Sequence, residues 1–384
     1  MAPYKRSRIL RLMVFPTIIT LLCLLLLEIF MIVMEPYLYK GFFQYDPDLG
    51  YRVRPYVSGT NRFGFNDRDY PLQRDSNTFR ILVVGDSFNW AGGLEGNYAA
   101  LLERKFEEYY GGHRVDIINA GYPGTHTAEQ LAMLRKYGLQ YNPDLVFLGF
   151  FAGNDFIDAG PNRKRIIVNG TYLDIDKRHE ITVLGYPIVD KSRLLHFVKQ
   201  KYKVYRELAR ARRERQTSDH KPVQEKGGTF SEETFLTIER LRLEFCNVEQ
   251  HRAKAFDDRI QCIFQSISQM KDLLDTHHIQ FVVGIYPDEF QVNGDLLDRV
   301  FKKFDLRRED YDIELMQRIL KEYLESEQIP FIDFLEAFRT KGRETRLYLL
   351  RDTHWNDAGH ELAADIMFRY LLSLAELRKS GYTG

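Results

Sequence analysis

The sequence predicts an α/β protein built on a mostly parallel sheet, and three observations predict it. First, short continuous apolar runs recur: Ile81–Gly85 (ILVVG), Leu145–Phe150 (LVFLGF) and Phe281–Tyr286 (FVVGIY). Strands covered on both faces read this way, whereas half-exposed strands alternate. Second, segments of helical spacing stand between those runs, the order that gives parallel strands joined by helices. Third, 384 residues with 44% apolar and 28% charged side chains can bury a sizeable core, as one domain with insertions or as two. The 54 basic and 54 acidic residues cancel, which excludes nucleic-acid binding by bulk positive charge. Three cysteines exclude a disulfide scaffold.

Residues 1–11 form a basic tail with Lys5, Arg6, Arg8 and Arg11. Leu12–Met34 follows, apolar on all sides, with Glu28 its one charge. At about 1.5 Å per residue a helix of this length crosses roughly 30 Å of hydrocarbon. The flanking charge predicts a cytoplasmic amino terminus in the inner (cell) membrane and a periplasmic or extracellular remainder. The run is too long for a cleaved signal peptide, and no small-residue cleavage site follows it. Glu28 near the exit is expected to reach water. Residues 35–78, rich in aromatic and turn residues, read as a connector. The domain from 79 to 384 opens with strand Ile81–Gly85, then helix Tyr98–Tyr110, strand Val115–Asn119, helix Thr127–Tyr137 and strand Leu145–Phe150. After an interruption come strand Phe281–Tyr286, a short strand Pro330–Phe334 and a last helix, Asp357–Leu377.

The interruption spans about residues 156–255. It starts with a β-rich piece, Ile166–Val189, with a turn at Asn169–Gly170–Thr171. Lys191–Arg215 is helical and carries ten Lys and Arg against Glu207 and Glu214, a solvated face or one suited to anionic lipid heads or an anionic polymer. Thr217–Thr229 reads as an exposed loop. Cys246 and Cys262 lie in helical patterns. An oxidising compartment permits a disulfide between them, worth about 3 kcal/mol, and two buried thiols fit equally.

The chemistry sits at strand ends. Gly85–Asp86–Ser87–Phe88 places a serine where a buried parallel strand meets a helix, the edge at which α/β enzymes bind ligands. Asn119–Ala120–Gly121–Tyr122–Pro123–Gly124 and Gly153–Asn154–Asp155 follow the next two strands on that same edge. A glycine N–H and an Asn amide suit a developing oxyanion. Asp352–Thr353–His354–Trp355 supplies an imidazole able to take the Ser87 proton and an acid able to orient it. Each piece alone is commonplace, since GDS triplets cap helices and Gly-Pro-Gly makes turns. Their conjunction, in this order, is not. Trp90 and Trp355 are candidates to line the site or to pack the core. His277–His278 reads as a helix end. No metal or cofactor is called for: no ligand set has metal spacing, and Ala91–Gly92–Gly93–Leu94 lacks the ending of a phosphate loop.

These blocks resemble the SGNH (GDSL-type) hydrolase superfamily over about residues 60–377, without the insertion. The resemblance implies a three-layer α/β/α flavodoxin-like fold with a five-stranded sheet. It implies Ser87 as nucleophile, Asp352 and His354 as its partners, and an oxyanion hole of Ser87, Gly124 and Asn154, with Gly121 also close. Asn61–Arg62–Phe63–Gly64–Phe65–Asn66 is similar to the segment that precedes the nucleophile in membrane-anchored bacterial members. Many members space acid and base as Asp-x-x-His. Here Asp352 and His354 are one residue closer. The literal Asp357-x-x-His360 falls in the first turn of the last helix and is set aside. Asp-Thr-His-Trp resembles the catalytic block of alginate-type polysaccharide O-acetyltransferases, where that block precedes the serine instead of following it. The first reading is a membrane-anchored carbohydrate esterase or deacetylase acting on a carbohydrate ester or another acyl ester, with no nucleic-acid partner. The second is an O-acetyltransferase of envelope or exported polysaccharide, which needs a multi-span membrane partner to deliver the acyl group. A catalytically inert carbohydrate-binding relic is the third.

Overall fold

The computed structural model describes residues 3–38, 41–46, 48–75, 78–112, 114–159, 165–168, 171–174, 192–199, 201–202, 205–206 and 228–379. The chain divides into two compact units, Met1–Arg54 with Arg163–Gln224, and Pro55–Asn162 with Glu225–Gly384.

In the first unit, α1 (Pro3–Leu38) contains the apolar segment Met13–Met34, long and apolar enough to cross a membrane and almost wholly exposed. Phe43–Gln44 pairs antiparallel with Arg52–Val53. Arg165–Val168 pairs antiparallel with Thr171–Asp174. The rest of the β-rich piece, its Asn169–Gly170 turn, and most of the Lys191–Arg215 and Thr217–Thr229 stretches lie outside the described residues. Residues 193–199, 201–202 and 205–206 are helical.

The second unit is built on five parallel strands: β1 (Phe79–Val84), β2 (Val115–Asn119), β3 (Leu145–Phe151), β4 (Gln280–Tyr286) and β5 (Phe331–Asp333). Their order is β2-β1-β3-β4-β5, with Ile81 facing Ile117 on one side and Leu145 on the other. Every residue of β3 is buried, which explains its unbroken apolar run; β2 is buried throughout as well, although it carries Asp116 and Asn119. One face carries α2 (Tyr98–Tyr110) and, later in the chain, the last helix Asp357–Lys379; Leu102, Phe106, Ala363, Met367 and Leu371 pack there on Ile81, Val83 and Phe147. The other face carries α3 (Thr127–Lys136), whose Leu134 sits with Leu82 around Gly138. Beside it lies the helix Asp257–Thr276, with Ile263, Ile267, Met270 and Leu274 buried. The result is three layers, α/β/α, with a single parallel sheet. Arg80 on β1 is buried against Asp116 on β2, at 2.8 Å, and its guanidinium also donates to the carbonyls of Pro71 and Tyr141.

Between β3 and β4 the chain returns from the first unit through α4 (Glu232–Leu243) and reaches α5 (Asp257–Thr276). After β4 come α6 (Gly294–Lys303) and α7 (Leu315–Ser326), and after β5 come α8 (Leu335–Gly342) and α9 (Asp357–Lys379). Phe235, Leu236 and Leu243 of α4 pack on Leu296, Leu297 and Val300 of α6. Cys246 is buried and Cys262 half-buried, and no disulfide joins them. His277 closes α5 and His278 turns the chain with φ 55°.

Candidate active site

The strand order reverses at β1: the chain goes outward to β2, then crosses back to β3 on the other side. A crevice opens at the carboxyl ends of strands at such a switch point. Three of the quoted blocks leave the sheet there, after β1, β2 and β3.

Ser87 opens a single 3-10 turn, Ser87–Asn89, directly after β1. Asp86 caps that turn, accepting from the Phe88 N–H at 2.9 Å. Gly85 is required because a side chain there would run into the Asn89 amide and the Gly149 carbonyl. The turn is locked from below. Asn89 donates to the side chain of Asn119 at 2.9 Å, Asn119 donates back to the Asn89 carbonyl at 2.8 Å, and the Tyr98 hydroxyl donates to Asn89 at 2.9 Å. This buried amide pair ties the ends of β1 and β2 into one rigid floor.

His354 reaches Ser87 from the loop before α9. Its Nε2 lies 2.8 Å from Ser87 Oγ, and its Nδ1 lies 2.6 Å from Asp352 Oδ1. The same carboxylate oxygen accepts the His354 backbone N–H at 3.1 Å. A carboxylate only accepts, so it fixes the proton on Nδ1 and leaves Nε2 to accept the serine hydroxyl. Burial pushes the Asp352 carboxyl up, but hydrogen bonds from His354 and Thr229 and the charge of His354 outweigh it and hold the acid below the ordinary carboxylate range. The loop is shaped by Arg351, left-handed at φ 51°, and by the short bridge between Tyr348 and Trp355. Trp355 is fully buried and edge-on to Phe88, with the rings 4.9 Å apart, so it packs beneath the site. Trp90 is half-buried, and its Nε1–H donates to the Gly121 carbonyl at 2.8 Å.

The two glycines after β2 differ in kind. Gly121 is buried, and any side chain there would strike Asn89. Gly124 is half-buried and left-handed, with φ 73°. Asn154 caps the turn Asp155–Asp158 after β3; its amide is 3.4 Å from Asp158 and also supports Asp86. Two buried carboxyls lie behind the serine. Burial raises Asp86, which the Phe88 N–H and the charge of His354 only partly offset. Burial and then the charge of Asp86 push Asp155 well above the carboxylate range. Asp357 is the exposed first residue of α9. His360 is buried with its Nδ1 accepting the Tyr98 N–H at 3.3 Å. Burial and the charge of His354 push the His360 pKa down to about 4. This imidazole is buried in the core, and it is His354 that bonds Ser87.

Several contributors carried no motif. Thr229 meets Asp352 because residues 229 and 230 donate backbone N–H groups to the carbonyls of Leu350 and Arg351, at 3.2 Å each. Arg242 on α4 bonds Glu239 at 3.2 Å and Asp288 at 3.4 Å, and lies 5.3 Å from the centre of the Phe151 ring. Asp288 in turn packs so closely under Gly153 that no side chain fits there. A chain of contacts therefore runs from α4 to the loop that holds Asn154.

Residues 245–383 match the family described as SGNH hydrolase-like domain, acetyltransferase AlgX. No curated protein matches the sequence. Solved structures similar to this chain include the acetyl xylan esterase AlAXEase, at 15% identity over 76% of this chain and 100% of that one, TM-score 0.39. TesA is 14% identical over 77% of this chain and 99% of its own, TM-score 0.40. A two-domain esterase (CEX) active on acetylated mannans is 14% identical over 77% of this chain and 49% of its own, TM-score 0.34. The matched segment contains Asp352 and His354, and the fold brings His354 to Ser87 at the end of β1; over residues 245–383 the chain is thus similar to an SGNH hydrolase-like domain.

Proposed function

We propose that Ser87, His354 and Asp352 act as nucleophile, general base and orienting acid in the hydrolysis of acetyl or related esters on an envelope or exported carbohydrate. The observation that carries this reading is the unbroken Ser87 Oγ–His354 Nε2 and His354 Nδ1–Asp352 Oδ1 chain, at 2.8 and 2.6 Å. Ser87 Oγ attacks the ester carbonyl carbon and its proton passes to Nε2. The resulting imidazolium lies against an aspartate that stays ionised. Negative charge builds on the carbonyl oxygen, and the N–H groups of Ser87 and Gly124 with the Asn154 amide are the donors for it, each worth about 3 kcal/mol in the transition state. Asn154 must turn from Asp158 and Asp86 to serve. Collapse expels the alcohol, which takes the proton from Nε2, and leaves acyl-Ser87. Water, deprotonated by Nε2, then releases the acid.

The family match favours a second outcome for the same intermediate: attack by a sugar hydroxyl, which moves the acyl group to an acceptor. That outcome needs an acyl donor outside the cytoplasm, and a multi-span membrane protein is the partner able to supply it. In both versions α1 anchors the chain in the inner (cell) membrane, with the basic tail inside and the catalytic domain on the periplasmic or extracellular side.

The experiment follows an isotopically labelled acetyl group from an activated ester by mass spectrometry, with purified full-length protein, an oligosaccharide panel and Ser87→Ala in parallel. Free acetate that depends on Ser87 supports the hydrolase. Label on a sugar, equally dependent, supports the transferase. Activity that survives Ser87→Ala overturns both.

A further inference from the structure

A carboxylate within an apolar span needs an account. Glu28 lies inside Met13–Met34, six residues before its end, and is half-buried. It does not simply reach for water. Its Oε2 accepts from the Ser192 hydroxyl at 2.6 Å and the Leu194 N–H at 3.0 Å, while Oε1 accepts from the Arg193 N–H at 2.7 Å. Ser192 is itself the cap of the helical stretch that follows, its hydroxyl accepting from the Leu195 N–H at 3.1 Å and its carbonyl from the His196 N–H at 3.0 Å. Glu28 thus supplies the negative charge that a helix amino terminus favours, and the helix supplies the donors that a carboxylate in hydrocarbon lacks.

The depth follows from the helix rise. Six residues before the end of the apolar run place Glu28, and the helix start it holds, about 9 Å inside that end. An amphipathic helix lying in a bilayer interface buries its apolar face to about that depth. The described residues of the docked stretch have the matching face. Leu195, Val198, Tyr202 and Tyr205 recur at three- and four-residue steps, and they are 40, 53, 61 and 69% exposed. Such steps share one side of a helix. Arg193, Lys199, Lys201 and Arg206 are interleaved with them, and the Lys201 ammonium lies 5.4 Å from the centre of the Phe197 ring. Apolar and aromatic residues on one stripe, with basic residues that can rise to the phosphates, fit the headgroup boundary of a membrane.

We infer that the described residues 192–199, 201–202 and 205–206 belong to an interfacial element that docks on the lipid headgroups of the outer leaflet that α1 enters, pinned to the anchor through Glu28. The occupant of the exposed stripe is lipid. The inference rests on the reading of α1 as a membrane anchor.

The test uses full-length protein in nanodiscs with brominated lipids, following tryptophan fluorescence above the Trp90 and Trp355 background of the parent. Leu22→Trp reports on the anchor; Leu195→Trp and Tyr202→Trp report on the docked face. Lipids brominated near the glycerol are expected to quench the latter two about twofold, as for residues at the interface, and lipids brominated at the chain ends to quench Leu22→Trp. Glu28→Leu is expected to abolish most of the quenching at Leu195→Trp. If Leu22→Trp is quenched while both face reporters are not, the docking is overturned and the anchor stands. If Leu22→Trp is not quenched, the anchor reading fails and the docking with it. If the face reporters respond only when a soluble polyuronate is added, the stripe is a polymer surface and the inference is overturned.

Discussion

At Ser87 the decisive feature is the three-residue hydrogen-bonded chain through His354 to Asp352. Ser87→Ala and His354→Ala are expected to lower kcat at least about 10⁴-fold, because nucleophile and base act as one unit. Asp352→Asn is expected to cost about as much, since an amide presents the wrong hydrogen to Nδ1; pre-steady-state acylation rates on an activated ester check all three. The glycines separate more finely. Gly121→Ala is expected to lower the melting temperature because its methyl enters the space of Asn89. Gly124→Ala is expected to fold, at a cost of about 1–2 kcal/mol for a left-handed non-glycine, and to lose kcat instead. Finding both effects at Gly121 and neither at Gly124 would move the oxyanion role to Gly121. The buried acids give a pH prediction of opposite sign to Asp352. Asp352 is depressed, so its stabilisation is present above the ordinary carboxylate pKa, near 4, and is lost as pH falls through its folded value. Asp155 is raised, so its contribution is fully present below about pH 4 and is lost as pH rises through its elevated folded value. Between pH 8 and pH 5 the parent is therefore expected to gain melting temperature relative to Asp155→Asn, a substitution that keeps the bond from the Phe151 N–H, while the depressed His360 acts in the opposite sense on both proteins.

At the scale of elements, β1, β3 and β4 were legible because burial on both faces leaves an unmistakable apolar run, whereas β2 carries two polar residues and β5 is short and half-buried. β2 and α2 begin and end where the sequence places them, and β1 starts two residues early only because Phe79 and Arg80 already pair with Val115 and Asp116. Site residues at strand ends were legible for the same reason: a motif placed after a buried run must lie on the functional edge. What the sequence does not display is lateral support. Arg242 looks like any basic residue on an amphipathic helix, and Thr229 like any residue of a polar loop. Only the tertiary path brings the first to Asp288 and the second to Asp352. Arg242→Met is expected to cost about 3 kcal/mol, because it strands buried acids without their cation, and to lower kcat through the Asn154 loop. Thr229→Val is expected to shift the acid limb of the kcat/KM profile upward, while Thr229→Ser leaves it in place. An unchanged profile in both would assign Thr229 to folding alone.

At the scale of the molecule, the proposed anchor α1 and the close-packed α/β/α unit call for separate tests. A chain beginning at residue 41 is expected to leave the membrane fraction and to keep kcat/KM on a small soluble ester within about twofold, since no residue of the Ser87–His354–Asp352 chain precedes it. Activity on a membrane-proximal polymer is expected to fall much further, because tethering sets the local concentration. Comparing the two substrates separates chemistry from address.

Ser87 and His354 are 267 residues apart in the chain. That separation carries a consequence for timing. While the polypeptide is being made and moved, its first half can build β1, β2 and β3 and display the serine, yet no base exists to activate it. On the proposed mechanism the protein becomes reactive only after the loop before α9 has docked. On the proposed roles of Ser87 and His354, a nascent chain stalled short of residue 354 is expected to be inert towards esters, however well its sheet has formed.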